Sequence, residues 1–118
     1  MTPEEFAVGI KQMFVDDAIQ TYRDLYSQVV DSDNTDQYSK DIQAVFSCLD
    51  ESGKEAFFNI LRIICIDSTN SFLSLLDGSS GLDGQKSELK LVSMDNPEEA
   101  LSGDLMAYFY DALHKTNS

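Results

Sequence analysis

The sequence predicts a mainly α fold: a compact bundle of four helices around a central buried one at about 53–77, with a Gly-rich loop and one short extended segment, about 87–94, before the last helix. Three observations predict it. The stretch from Phe57 to Leu76, FFNILRIICIDSTNSFLSLL, is the densest apolar run in the chain. On either side of it apolar residues recur every three or four positions, the period of a half-buried helix. Thr2-Pro3-Glu4-Glu5 and Asn96-Pro97-Glu98-Glu99 each combine a capping side chain, a proline suited to a first helical turn and acids that complement the positive helix end.

The first helix is expected from that opening device to about Val30, with Phe6, Ile10, Phe14, Ala18, Tyr22, Leu25 and Val29 as its inner stripe, widened by Met13 and Tyr26. The polar run from Asp31 to Asp36 breaks the period, because short polar side chains compete for local backbone bonds. It also echoes a calcium loop, but the sixth position is Asp36 instead of glycine and the twelfth is Ile42 instead of glutamate, so no metal is expected. Tyr38, Ile42, Val45, Phe46 and Leu49 describe a short helix ending near Cys48, and the tight link that follows implies an antiparallel hairpin with the central helix.

The central helix is expected to open at Ser52-Gly53-Lys54-Glu55, where serine and glutamate can each accept a free backbone N–H. Phe57, Leu61, Ile64, Cys65, Ser68, Phe72 and Leu75 fall on its apolar side; Glu55, Asn59, Arg62, Asn70 and Asp77 fall opposite on a narrow polar strip. A helix this apolar is normally sheathed by others. A membrane span is rejected, since Arg62 and Asp67 inside it would each cost a few kcal/mol in lipid.

Asp77 to Gly84 reads as a loop, and Ser87 to Met94 alternates as a short strand with no partner in sight, unless it pairs with its copy in a homodimer. A second calcium echo at Asp77, Ser79, Asp83 and Glu88 has Leu82 in the glycine position. The last helix is expected from Asn96-Pro97 to about His114, with Leu101, Leu105, Tyr108, Phe109, Ala112 and Leu113 inside and Gly103 weakening it. Thr116 to Ser118 should fray.

At 118 residues and 42% hydrophobic, without a Gly/Pro-rich linker, the chain is expected to form a single domain, 1–118, with a core needing no disulfide or metal. The start MTPEEFAVGI has no basic leader segment, so cytoplasmic placement is the default. Cys48 and Cys65 sit among apolar neighbours and read as free structural thiols.

Chemistry has little to stand on. Only one histidine is present, His114, and no nucleophile elbow, Walker A loop, dinucleotide fingerprint, CxxC or HExxH occurs, so neither enzymatic activity nor a cofactor is expected. Adjacent acids such as Asp16-Asp17 point about 100° apart on a helix and cannot grip one proton together. Asp67, on a flank expected to be covered, is either bonded to a neighbour or, with Asn70 and Ser71, forms the floor of a polar pocket. A small-molecule-binding or regulatory domain with its pocket near Asp67 and the 77–84 loop is the alternative function.

Charge is the clearest global signal, with 21 acids against 8 bases for a formal net of −13. It disfavours nucleic acid and anionic membrane and favours a basic protein partner, if the acidity does more than maintain solubility. The leading expectation is therefore a small acidic protein that occludes a basic surface. Asp31, Asp33, Asp36, Asp41, Asp83, Glu98 and Glu99 are its expected contacts, together with Tyr110, which turns outward and with Met106 could offer an apolar patch. In size and acidity alone the chain resembles bacterial immunity proteins, a likeness that would imply an inhibitor of a toxin-like nuclease.

Overall fold

The computed structural model describes residues 1–115. Its elements in order are α1 (Pro3–Lys11), a π-helical turn (Gln12–Asp17), α2 (Ala18–Val30), α3 (Gln37–Ser47), α4 (Glu51–Leu76), β1 (Val92–Ser93), β2 (Asn96–Ala100) and α5 (Leu105–Lys115). The chain is mainly helical, as its periodicity predicts. The expected end-fraying at 116–118 lies outside the described residues.

Helix α1 starts as its sequence dictates. The Thr2 hydroxyl oxygen accepts the Glu5 N–H at 3.1 Å, and the Thr2 hydroxyl donates to the Glu5 carboxylate. The helix then continues through the π turn into α2, and that turn moves the inner face. A π turn takes about 4.4 residues, so side chains five apart come into line. Lys11 Nζ accordingly meets Asp16 Oδ2 at 2.6 Å, and Gln12 Nε2 meets Asp17 Oδ1 at 2.8 Å. Ala7, Lys11, Val15 and Ile19 are buried, while Phe14, placed by an uninterrupted helix on the inner stripe, is 49% exposed.

Helix α3 is capped by Asp36, whose carboxylate accepts the Ser39 N–H at 3.0 Å. It packs along α2 and meets α4 where the Phe46 ring stands 5.9 Å from Phe58, instead of running back along α4 as a hairpin. The cap of α4 is Asp50, accepting the Gly53 N–H at 2.8 Å, so the helix begins two residues ahead of the expected start.

Helix α4 is a spine and not a sheathed rod, which corrects the central expectation. Of its 26 residues only Phe58 and Leu73 are buried. Two separate cores lie along it. Its first half joins Val29, Ile42, Phe46 and Phe58, with Tyr22, Tyr26 and Phe57 packed around them. Its second half joins Ala7, Val15, Leu73, Leu105 and Phe109. The remaining helices cover one side of the spine and leave Ile60, Ile63, Ile64 and Phe72 more than half exposed. The molecule measures 52 × 40 × 24 Å, with a radius of gyration of 18.0 Å. A fully compact chain of this length would have about 13.5 Å.

The extended segment does find a partner, and it lies in the same chain. β1 pairs antiparallel with β2, with Val92 opposite Ala100 and Ser93 opposite Asn96 across a bulge. The Asn96-Pro97-Glu98-Glu99 device thus forms an edge strand, where a proline without an N–H is tolerated, and not a helix start. Gly103, at φ +131°, turns the chain outside any helix, so it weakens none. No helix among the described residues is long and apolar enough to cross a membrane.

Candidate interaction surface

Three ion-paired or hydrogen-bonded joints hold the elements against the spine. Asp16 receives Lys11 on one oxygen and Arg62 Nη1, at 3.0 Å, on the other, tying the π turn to α4. Burial alone would raise the Asp16 carboxyl, but the bonds from Lys11 and Arg62 outweigh it and hold the group below its usual range. Arg23 grips both oxygens of Glu55 at 2.9 Å while its guanidinium lies 4.5 Å above the Phe58 ring, joining α2 to α4. Asp77, expected on the polar strip, caps α5 by accepting backbone N–H groups of Gly103, Leu105 and Met106.

These joints decide which charges face outward. Among the described residues five of the eight bases are held in ion pairs, and Lys11, Arg23, Lys54 and Arg62 are buried or half-buried. Every acid except Asp16 and Asp77 is exposed. The outer surface is therefore richer in bare anions than composition alone implies.

The expected contacts fall into two groups. Asp31 ends α2, Asp33 sits in the turn, Asp36 caps α3 and Asp41 lies one turn further on, all exposed. Asp36 is lowered by the Ser39 side chain and then by the Ser39 N–H, so it carries a structural duty as well as charge. Gln37 Nε2 donates to Asp41 at 2.7 Å. Asp83 belongs to the exposed loop, and Glu98 and Glu99 stand on β2, where Asn96 Nδ2 donates to Glu99 at 3.2 Å.

Tyr110 is 61% exposed, as its position predicts. Its neighbour is His114, whose ring lies 4.1 Å away and whose Nδ1 is 2.7 Å from the Tyr110 carbonyl. Met106 instead packs against the core, so the two do not form a shared patch.

Asp67 and Ser71 are exposed and Asn70 is half-buried, which corrects the expectation of a covered flank. Among the described residues no element covers Asp67 and Ser71. Cys48, expected among apolar neighbours, is exposed at the end of α3, while Cys65 is half-buried; both are free thiols. Among the described residues no three metal-ligating side chains stand together, and no buried side-chain polar atom lacks a hydrogen-bond partner.

A cleft of about 200 Å³ opens where α2, α3 and α4 meet, lined by Tyr26, Phe46 and Phe58 with Asp31 and Lys54. The Tyr26 phenol is raised by burial first and by the Tyr38 hydroxyl second, 3.2 Å away. Sequence reasoning missed this cleft, because its walls come from three helices that only folding brings together. No family model, curated protein sequence or solved structure matches the chain.

Proposed function

We propose that the protein is a non-enzymatic acidic interaction protein that covers a basic surface on a protein partner, as an inhibitor or a mimic of nucleic acid does. One observation carries this reading. Every acid but Asp16 and Asp77 is exposed, whereas four of the eight bases, Lys11, Arg23, Lys54 and Arg62, are buried or half-buried and ion-paired, two of them across helices. Asp31, Asp33 and Asp36 lie in the connection between α2 and α3, Asp41 on α3, and Glu98 and Glu99 on β2, all exposed. Long-range attraction of this kind speeds encounter and fades as salt shortens the Debye length to about 8 Å at physiological strength.

Affinity purification from the native host at low and high ionic strength, read by mass spectrometry, tests it. A basic protein recovered at low salt, lost at high salt, and lost again with Asp31→Asn/Asp33→Asn/Asp41→Asn is the expected result. Recovery of no basic protein at low salt overturns it.

The small-molecule alternative, expected beside Asp67 and the 77–84 loop, finds no covered flank there; a different site, the cleft with Tyr26, Phe46 and Phe58 as walls and Asp31 and Lys54 at its rim, suits a planar polar ligand better. A thermal-shift screen separates the two. Ligand at a hundred times its dissociation constant adds about 2.7 kcal/mol, and no response across metabolites removes this alternative.

A further inference from the structure

The cleft between α2, α3 and α4 is sized for a single side chain. Its volume is about 200 Å³, whereas pockets that enclose a whole small ligand run from about 300 to 1,000 Å³. Phe46 and Phe58 in its walls are buried and Tyr26 is half-buried, so the Tyr26 ring gives an occupant the most surface. Interface hot spots take this form, a small pocket with aromatic walls that receives one anchor from the partner.

Charge selects the anchor. Helix α2 ends at the cleft, and no basic residue in its last turn offsets the negative helix end. Asp31, its C-cap, adds a full negative charge on the same side and belongs to the acidic connection that carries Asp33 and Asp36. On the opposite rim Lys54 is paired with Glu51 at 3.4 Å, which offsets its charge and leaves it N–H groups for a main-chain carbonyl of the incoming residue.

A guanidinium suits these walls better than an ammonium, because it stacks on an aromatic ring while its N–H groups fork onto a carboxylate. The protein already uses this arrangement on the same aromatic cluster, where Arg23 lies 4.5 Å above Phe58 and grips both oxygens of Glu55 at 2.9 Å. Its other arginine, Arg62, is engaged with Asp16. At Tyr26 and Asp31, ring and carboxylate therefore stand together with no arginine of the chain to fill them.

We infer that this cleft is the anchor pocket of the acidic surface and takes one arginine side chain of the basic protein partner, its guanidinium over Tyr26 and forked onto Asp31. The anchor rests on the proposed covering of a basic surface and adds the place where that partner is gripped. Acids spread over the exterior govern encounter, and a desolvated anchor governs release.

Two experiments test it. Blocked tripeptides, acetyl-Gly-X-Gly-amide with X arginine, lysine or citrulline, are titrated into the whole chain and followed by backbone amide NMR shifts. Citrulline is planar and polar like arginine but neutral. The arginine peptide should bind at least about tenfold more tightly than the other two, with shifts centred on Ser27, Asp31 and Phe58, and Asp31→Asn should weaken it by about tenfold. No binding, or equal binding of arginine and lysine peptides with shifts scattered over the acids, overturns the proposal. Equal binding of the citrulline peptide overturns it too and hands the cleft to neutral small molecules.

The second experiment uses Ser27→Trp, which fills the cleft from an exposed position in its lining and leaves every acid in place. Circular dichroism should show it folded. Against the partner recovered by affinity purification, it should raise the dissociation rate by about tenfold or more while association keeps the salt dependence of the wild type. An unchanged dissociation rate overturns the anchor and leaves the covering of a basic surface standing. A wild type that recovers no basic protein overturns that covering instead, and the peptides alone then decide whether the cleft takes arginine.

Discussion

Asp77 Oδ1 accepts the backbone N–H of Leu105 at 3.0 Å, although 28 residues separate the two. The first residue beyond α4 thereby caps the first turn of α5, with Oδ2 taking the Met106 N–H at 2.9 Å. A carboxylate on free helix-start donors is a charge-assisted bond, and this one also fixes where α5 begins. Asp77→Ala should cost about 1–2 kcal/mol and lower Tm by roughly 5–10 °C, whereas Asp77→Asn, which keeps one acceptor, should lose less. Equal losses in thermal melts of the two variants would contradict the cap.

Asp16 gives the acid limb of stability a definite cause. Its carboxyl is held below the usual value of 3.8, so the folded state binds its proton less readily than the unfolded chain does. The contribution is complete above about pH 4 and disappears as pH falls through the depressed folded value. Denaturant midpoints from pH 6 to 2 should fall less steeply for Asp16→Asn than for the wild type, with Asp36 and Glu55, also held below their usual range, supplying the remaining fall. A parallel fall in both would assign acid sensitivity to other carboxyls.

Two neighbouring positions on α4 should behave oppositely. Phe58 is 7% exposed and stacks on Phe46, so Phe58→Ala should cost about 3–5 kcal/mol through the cavity left behind. Ile60, two residues on, is bare in the single chain. Ile60→Ser should change stability by no more than about 0.5 kcal/mol. Urea titrations of both variants compare them directly, and a large loss for Ile60→Ser would mean that the spine is covered there.

The π turn makes a prediction about length. Deleting the exposed Met13 removes the extra residue and returns Lys11 and Asp16 to the i, i+4 spacing of an ordinary helix, with Val15 and Ile19 still facing inward. Helicity by circular dichroism should persist and Tm should move by only a few degrees. Deleting Thr21 within α2 instead rotates Tyr22, Tyr26 and Val29 by about 100° and should abolish the fold. Collapse of both deletion variants would show that the π geometry itself is required.

Local signals in the chain determined its helical character, the cap at Thr2, the break in the helical period at Asp31–Asp36, the loop after Leu76 and the outward-facing Tyr110, because period and capping act within a few residues, whereas the Asp36 cap emerged only from the structure. The acids of the candidate surface were legible for the same reason, since charged side chains stay in water unless something pairs with them. What each helix packs against was decided only by tertiary structure. An apolar rod such as α4 reads identically whether neighbours enclose it or cover one side, so Ile60 and Ile64 gave no sign that they remain bare. Asn96-Pro97 carries the mark of a helix start yet lies in a strand, because Asp77, from the far end of another helix, supplies the cap at Leu105 instead. Sequence sets which surfaces are apolar or charged; the geometry of packing sets which of them meet.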